Sequence, residues 1–252
     1  MLNKLFSNYL HNRRFGQKLS QYFDRIYCIN LDSRPDRWQY VNTHFAKFGL
    51  KNKVERFSAI DVRNNPEFQN QEKLLQDNFS LLAMCGCMLS HRSIIEKAKA
   101  EGLKNVLVFE DDIRILSANI KSLKESLKDL NELEWDVFYF GATYLWPLEK
   151  ISPYLVGVYK GAYATHAISY NETVYERILD LLPSDPKEFL ASSEFEVNAL
   201  DKWLQSDLFD HGKFFGTNPI MVVQALQESD IAFNQLDGIE QRQIKLFEKN
   251  IK

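Results

Sequence analysis

Three consecutive carboxylates, Glu110, Asp111 and Asp112, are the clearest candidates for chemistry in this sequence. They follow the apolar run Asn105 to Phe109, which predicts a buried β-strand, and α/β sheets bind ligands beyond the carboxyl ends of their strands. Because side chains alternate along a strand, we expect Glu110 and Asp112 to face the same way. Such a pair suits Mn²⁺ or Mg²⁺, which binds diphosphate oxygens and neutralises developing charge. The alternative is a solvated acidic turn.

A second polar line lies on the predicted helix from about Glu194 to Gln205. Glu194, Asn198 and Asp201 are spaced i, i+4, i+7 and therefore share one helix face. A carboxylate on that face is able to accept the proton of an attacking hydroxyl. On pattern alone, a solvent-facing stripe is the commoner outcome for such residues.

Other phosphate-binding patterns do not occur in the sequence. No G-x-G-x-x-G follows the first predicted strand, and G-x-x-x-x-G-K-[ST] is absent. Dinucleotide oxidoreductases and P-loop enzymes are therefore poor fits. A nucleotide held mainly through a metal fits better.

Composition indicates a globular protein with a substantial core. The chain has 252 residues, 45% of them hydrophobic and 26% charged, and its formal net charge of -3 gives no positive field for nucleic acid. Its three cysteines do not make a disulfide framework and predict buried, reduced thiols in a cytoplasmic protein. No apolar run approaches the ~20 residues of a membrane span, and no signal-peptide pattern appears.

Strand and helix patterns alternate through the first half of the chain, which predicts an α/β fold with a mainly parallel sheet in a single domain. The predicted strands are residues 25–31, 54–60, 105–109 and 136–140, followed by 162–170 and 219–225. Residues 63–78 are predicted to be a long polar loop or a loosely helical excursion.

The two ends of the chain are charged. Residues 1–24 predict a basic amphipathic helix, and residues 1–25 are compatible with an anionic membrane surface, although packing against the chain's own domain is the preferred interpretation. Residues 237–252 predict a charged tail with a frayed helix. The predicted catalytic domain is therefore 25–236.

Four short stretches, in their order, resemble glycosyltransferase family 25, which includes bacterial lipooligosaccharide and collagen galactosyltransferases. They are YCINLDSRPDRW (Tyr27 to Trp38), FSAIDV (Phe57 to Val62), GCMLSHRSI (Gly86 to Ile94) and VLVFEDDI (Val106 to Ile113). Weaker matches follow at 163–170, 201–204, 219–224 and 229–231.

The resemblance implies a GT-A type fold, a UDP-sugar donor, a divalent metal (Mn²⁺ or Mg²⁺) and inversion at the anomeric carbon. It implies that Glu110 and Asp112 bind the metal and diphosphate, with His166 completing the metal shell. It implies a catalytic base at Asp201, with Glu194 in reserve. The implied donor-binding residues are Asn30, Arg34, Asp61, Ser90, His91 and Asp111.

Both Arg34 and Arg37 are able to reach a phosphate from the segment after the first strand, and Arg34 is the preferred candidate. The alternative for them is pairing with Asp32 or Asp36 on the helix surface. The aromatic residues Tyr144, Trp146 and Tyr154 predict either a stacking platform for an acceptor sugar or ordinary loop packing.

The expected function is transfer of galactose or glucose from a UDP-sugar to a hydroxyl of a glycan, a lipooligosaccharide or a protein. Two alternatives remain. One is a metal-dependent nucleotidyltransferase or hydrolase, because strand-end carboxylates serve those reactions too. The other is an inactive module that binds a nucleotide sugar.

Overall fold

The computed structural model describes residues 2–64, 79–116, 120–191, 199–205, 212–225 and 238–251. The helices in these residues are α1 (Leu2–Tyr22), α2 (Pro35–Lys47), α3 (Phe79–Ala100), α4 (Ile120–Asn131), α5 (Glu172–Leu181), α6 (Pro186–Ala191), α7 (Leu200–Trp203) and α8 (Ile239–Asn250), with a 3₁₀ turn at Val62–Asn64. The strands are β1 (Arg25–Asn30), β2 (Glu55–Ser58), β3 (Asn105–Glu110), β4 (Ile113–Ile115), β5 (Val137–Thr143), β6 (Glu149–Lys150), β7 (Leu155–Gly157), β8 (Tyr163–Asn171), β9 (Phe214–Thr217) and β10 (Val222–Gln224).

Eight of these strands form one sheet in the order β2-β1-β3-β8-β5-β9-β7-β6, and β10 pairs with β4 in a second, two-stranded sheet. Within the large sheet β1 is parallel to β2 and β3, while β8 is antiparallel to both of its neighbours, β3 and β5. Following the pairings across the sheet, six of the eight strands run in one direction, and β8 and β7 run in the other. The predicted α/β class with a mainly parallel central sheet is confirmed.

The sheet separates two hydrophobic cores, as the side chains of β3 illustrate. Val106 and Val108 face a cluster that includes residues of α3 and α5, whereas Leu107 and Phe109 face a cluster with α1, α2 and α4. All four side chains are at most 1% exposed. Burying an aliphatic or aromatic side chain of this size contributes about 1.5–3 kcal/mol to stability. Packing on both faces therefore holds β3 in place and fixes the position of Glu110 at its end.

Helix α1 packs against its own domain, as the preferred interpretation of the sequence expected. Phe15 and Leu19 are buried among α2 and α4, and Gly16 approaches Gly49 so closely that a Cβ on Gly16 would lie 2.4 Å from the Gly49 backbone. No helix in the described residues is both long and apolar enough to cross a bilayer.

The described part of the predicted tail is a packed helix rather than a frayed one. Helix α8 contacts β10 and β5, and its Phe247 is 3% exposed. Gln243 accepts a hydrogen bond from the Gln224 backbone N–H at 2.9 Å and donates one to Thr143 Oγ1 at 3.0 Å. Helix α8 carries many charged residues, but one of its faces bears Gln243 and Phe247 and packs on the sheet. The helix is therefore part of the domain.

Candidate active site

The carboxylate triplet lies at the edge of the sheet beside a cleft of about 360 Å³. Strand β3 ends at Glu110, residues Asp111 and Asp112 form a turn, and β4 follows at once. The walls of the cleft come from the end of β1, the segment after β2, helix α3, the start of β8 and helix α7. This is the carboxyl edge of the parallel strands, where ligands bind in α/β sheets.

Asp111 is held by two buried side chains. Its Oδ2 accepts a 2.6 Å hydrogen bond from Asn30 Nδ2, and its Oδ1 lies 3.1 Å from Arg37 Nη1. Burial raises the pKa of Asp111, although Arg37 and Asn30 oppose the shift. Arg34, the preferred phosphate candidate, instead pairs with Asp36, whereas Arg37 lines the cleft. Asn30 Oδ1 also accepts a hydrogen bond from Arg56, so this asparagine organises the cleft wall.

Asp112 is 8% exposed, and only one of its two oxygens has a hydrogen-bond partner within the described ranges. Gln224 Nε2 lies 3.5 Å from Oδ2, while Oδ1 has no hydrogen-bond partner among the described residues. Burial, followed by the charges of Glu110 and Asp111, raises the pKa of Asp112 to about 7. A cation that replaced the proton would relieve this repulsion.

Glu110 receives a 2.8 Å hydrogen bond from Thr165 Oγ1, and its Oε1 lies 3.8 Å from His91 Nε2. Burial alone would raise the pKa of Glu110, but His91, His166 and Thr165 outweigh it, and the pKa is lowered. Glu110 therefore remains ionised beside Asp112. Both carboxylates line the same cleft, Glu110 from the end of β3 and Asp112 from the turn that follows.

His166 is fully buried behind the cleft wall. Its Nε2 lies 3.4 Å from the Val222 carbonyl oxygen, and its Nδ1 has no partner within the described part of the chain. Burial lowers the pKa of His166 to about 4, so the ring is neutral near pH 7. The cleft-lining residues do not include it.

Ser90 supports the loop after β2 rather than lining the cleft. Its hydroxyl accepts a 2.9 Å hydrogen bond from the Ile60 N–H and donates a 2.6 Å one to the Gly86 carbonyl oxygen. A Cβ on Gly86 would lie 2.3 Å from the Ile60 carbonyl oxygen, so only glycine allows this approach. The same loop presents Asp61, whose carboxylate caps the backbone of Arg63 at 3.2 Å. Ile60 and Asp61 both line the cleft.

Asp201, the predicted base, lies on α7 and lines the cleft. The Ala164 N–H donates a 2.8 Å hydrogen bond to Oδ2, and Oδ1 has no partner among the residues that the structure describes. Burial is the main cause of its raised pKa. Glu194, the reserve candidate, and the weak match at 229–231 lie outside the described residues.

The two unsatisfied oxygens test whether the site suits a cation and a polar substrate. Asp112 Oδ1 and Asp201 Oδ1 are buried carboxylate oxygens in one cleft without hydrogen-bond partners among described residues. Buried polar atoms are normally satisfied, so ligands are expected at both. Carboxylate oxygens are suitable for Mn²⁺ or Mg²⁺.

Cys87 is a cleft residue that the sequence interpretation missed. It lies on α3 and lines the cleft, unlike Cys28 and Cys85, which are buried as predicted. Burial, together with Glu110 and Asp201, raises the pKa of Cys87 well above its ordinary value. The signal that would have identified it is its i, i+4 spacing from His91.

The aromatic residues predicted as a platform separate into different roles. Tyr144 is 1% exposed and packs in the core. Trp146 stacks on Tyr163 with ring centroids 5.5 Å apart and planes at 21°, and Lys202 Nζ lies 4.8 Å from the Tyr163 ring. Tyr163 lines the cleft, so the stacked pair extends the cleft wall outwards.

Part of this chain is similar in sequence to proteins of known family. A human protein named "Inactive glycosyltransferase 25 family member 3" is 34% identical over 131 residues, which is 47% of this chain and 22% of that protein. A "Glycosyltransferase 25 family member" of Drosophila pseudoobscura pseudoobscura is 33% identical over 138 residues, which is 50% of this chain and 21% of that protein. The matched part of this chain thus spans about a fifth of each of these relatives.

Among solved structures, A197 from STIV has a TM-score of 0.42 at 11% identity, covering 81% of this chain and 85% of that one. The sequence pattern of glycosyltransferase family 25 (LPS biosynthesis protein) matches residues 23–154, from the residues before β1 past the acidic triplet. That match covers more than half of the chain, which therefore belongs to glycosyltransferase family 25.

Proposed function

We propose that this chain is an active, metal-dependent, inverting glycosyltransferase that moves galactose or glucose from a UDP-sugar to an acceptor hydroxyl. The observation that carries the proposal is a pair of carboxylate oxygens in one cleft that have no hydrogen-bond partner in the part of the chain that the structure describes: Asp112 Oδ1 at the end of the sheet and Asp201 Oδ1 on α7. Such a pair provides one position for the donor diphosphate and another for the acceptor hydroxyl.

Glu110 and Asp112 are the proposed ligands of Mn²⁺ or Mg²⁺. When bound, this cation supplies charge neutralisation to the departing diphosphate. Arg37 and Asn30 fix Asp111 at the neighbouring corner, where its carboxylate faces the ribose or the donor sugar. An Asp111 carboxylate that is fixed in this way would hold the donor in one orientation.

Asp201 is the proposed general base. The bond from the acceptor oxygen to the anomeric carbon forms as the bond from that carbon to the diphosphate oxygen breaks, and UDP leaves with the electron pair. The hydroxyl proton goes to Asp201 Oδ1. Burial raises the pKa of Asp201, which makes its carboxylate a stronger base than an exposed one.

The acceptor is proposed to enter along Trp146 and Tyr163, whose stacked rings adjoin the cleft near Asp201. Flat aromatic surfaces bind the apolar faces of sugars, and Lys202 beside Tyr163 adds a positive charge. A glycan, lipid-linked or protein-linked, is the class of acceptor that fits this wall. The acceptor hydroxyl then lies near Asp201.

The competing function is a module that binds a nucleotide sugar without turnover, since the human relative is named inactive. The human protein that is named inactive and the Drosophila family member match this chain at nearly the same identity, 34% and 33%. Sequence similarity therefore does not decide between an active enzyme and an inactive module. The unsatisfied oxygen of Asp201 favours turnover, because a binding module has no need of a base on the acceptor side.

The test is a panel of UDP-sugars incubated with the purified chain, Mn²⁺ and glycan acceptors, with UDP release and glycosylated product both measured. We expect acceptor-dependent product from UDP-galactose or UDP-glucose, abolished by EDTA and restored by added Mn²⁺. Binding of a UDP-sugar without product would support the inactive module. Phosphate or nucleotide release that is independent of acceptor would support a hydrolase or nucleotidyltransferase.

A further inference from the structure

One wall of the cleft brings together a thiol, an imidazole and a carboxylate. Cys87 and His91 are four residues apart on α3 and therefore share a helix face, and Glu110 ends the strand beside them. One candidate ligand atom from each residue lies within 4.8 Å of the other two. The His91 Nε2 to Glu110 Oε1 distance is 3.8 Å.

The Nε2 of His91 contacts Glu110 at ion-pair distance but makes no hydrogen bond among the described residues. His91 is fully buried, and its Nε2 makes no hydrogen bond to any described residue, since 3.8 Å from Glu110 exceeds hydrogen-bond length. Its Nδ1 lies 3.0 Å from Tyr170 Oη. When a cation takes the place of the Nε2 proton, Nδ1–H is able to donate to the tyrosine oxygen and the Nε2 lone pair is available as a ligand. Metal-binding histidines are usually fixed in this way by an outer partner.

We propose that Cys87, His91 and Glu110 bind a thiophilic divalent cation, Zn²⁺, with its fourth position open to the cleft. With ligand bonds of about 2.0–2.3 Å, tetrahedral zinc ligands lie about 3.3–3.6 Å apart, so these atoms need to approach one another by only ~1 Å. Binding releases the thiol proton to solvent as the Cys87 sulfur becomes a thiolate. The cleft provides the entry path, because Cys87 and Glu110 both line it.

This site differs in chemistry from the oxygen-only pair Glu110 and Asp112. Thiolate and imidazole favour Zn²⁺, whereas carboxylates alone favour Mn²⁺ or Mg²⁺. Glu110 belongs to both sets, so the two cations compete for this carboxylate. If the proposed transferase function holds, Zn²⁺ is an inhibitor that competes with the Mn²⁺ needed for donor binding.

Cobalt is the probe for this site, because Co²⁺ replaces Zn²⁺ and reports thiolate ligation by an intense near-ultraviolet charge-transfer band. Titrating the full chain with Co²⁺ should give this band at one equivalent, and Zn²⁺ should abolish it. Cys87→Ser should remove the band, and His91→Gln should weaken Co²⁺ binding at least tenfold. Cys85→Ser, on the same helix but facing the core, is the matched control and should retain the band.

Circular dichroism and melting temperature establish that each variant is folded, and Cys87→Ala is the second variant if the serine disturbs packing. Absence of the band in the wild-type chain, or its survival in folded Cys87→Ser and Cys87→Ala, would overturn the proposal. The band is measured without nucleotide or acceptor. Product formation without a cobalt band therefore defeats only the zinc site, and a cobalt band without product defeats only the transferase.

Discussion

The backbone N–H of Ala164 donates a 2.8 Å hydrogen bond to one oxygen of Asp201, and the other oxygen has no partner among the described residues. Ala164 adopts φ of 67°, a left-handed conformation that costs a non-glycine residue about 1 kcal/mol. The residue at the start of β8 that holds the Asp201 carboxylate therefore has a strained backbone conformation. Strain retained beside a cleft is a common property of functional sites.

Replacing the proposed base is expected to remove turnover while leaving donor binding intact. Asp201→Asn keeps the shape and the Ala164 hydrogen bond but lacks basicity, so kcat should fall by about 10²–10⁴-fold. Calorimetric binding of UDP-sugar should change little. The control is Asp180→Asn, an exposed carboxylate on α5. Equal kcat in both variants would contradict the assignment of Asp201.

Trp146 is expected to affect the acceptor and not the donor. Trp146→Ala removes the ring stacked on Tyr163. If the acceptor sugar makes one stacking contact with this ring, worth about 0.5–1.5 kcal/mol, acceptor KM should rise roughly 2–12-fold. The KM for the UDP-sugar should stay constant. A rise in donor KM of the same size would place this aromatic pair on the donor side instead.

The buried and exposed arginine pairs should differ in their effect on stability. Arg37→Met leaves the buried Asp111 carboxylate without its charged partner and should lower the free energy of unfolding by about 3–5 kcal/mol. Arg34→Met breaks an exposed pair with Asp36 and should cost only about 0–1 kcal/mol.

Chemical denaturation of both variants measures this difference, and adding Asp111→Asn to Arg37→Met should restore part of the lost stability. The Arg34 variant also tests the sequence-based expectation that Arg34 binds phosphate. An increase in donor KM in Arg34→Met with Arg37→Lys unaffected would favour that expectation.

The loop after β2 depends on Ser90 and Gly86. Ser90→Ala leaves the half-buried Ile60 N–H without its 2.9 Å partner and should cost about 1–3 kcal/mol of folding stability. Gly86→Ala should cost about 1–3 kcal/mol by overpacking, because the added Cβ meets the Ile60 carbonyl oxygen. Both variants displace Asp61 and should raise donor KM more than they lower kcat. Thermal melts and steady-state kinetics measure the two effects.

Asp112 gives the protein a pH-dependent stability that a neutral residue would remove. Its pKa rises from 3.8 to about 7 on folding, so the folded state favours the protonated form. The wild-type chain should therefore lose stability relative to Asp112→Asn as pH rises from about 4 to about 7, with a constant difference above that range.

The difference between the Asp112→Asn and wild-type chains should approach about 4 kcal/mol at pH 8, at 1.4 kcal/mol for each unit of the shift from 3.8 to about 7. Urea unfolding at pH 5, 6 and 8 in the presence of EDTA tests this expectation. Added Mn²⁺ should stabilise the wild-type chain above pH 7 and leave the asparagine variant unchanged. A pH-independent difference would show that Asp112 does not carry the raised pKa.

The sequence predicted the strand that leads to the acidic triplet, because a strand depends on a short-range pattern. The apolar run ending at Glu110 identified both the strand and the edge at which it ends. Asp201 lines the same cleft, and its role as the base stays a prediction. The sequence did not show whether Arg34 or Arg37 faces the cleft, because this depends on the rotation of α2 about its axis. The position of Cys87 depends on how α3 packs, and composition alone favoured a buried thiol.

The local sequence patterns do not predict which strands pair across long distances in the chain. The antiparallel insertion of β8 between β3 and β5 is not encoded in any segment alone, since the residues of β8 would suit either direction. The packing of α8 depends on Gln243 and Phe247, which stand among charged residues and carry a weak apolar signal.

The central position of β8 has a consequence for synthesis of the protein on the ribosome. Asn105 pairs with Asn171, so one edge of β3 stays open until some 60 further residues have emerged. During that interval the nascent chain exposes an apolar strand edge of the kind that recruits chaperones or aggregates. Slow translation between residues 110 and 171 prolongs this exposure. It should therefore lower the yield of folded protein.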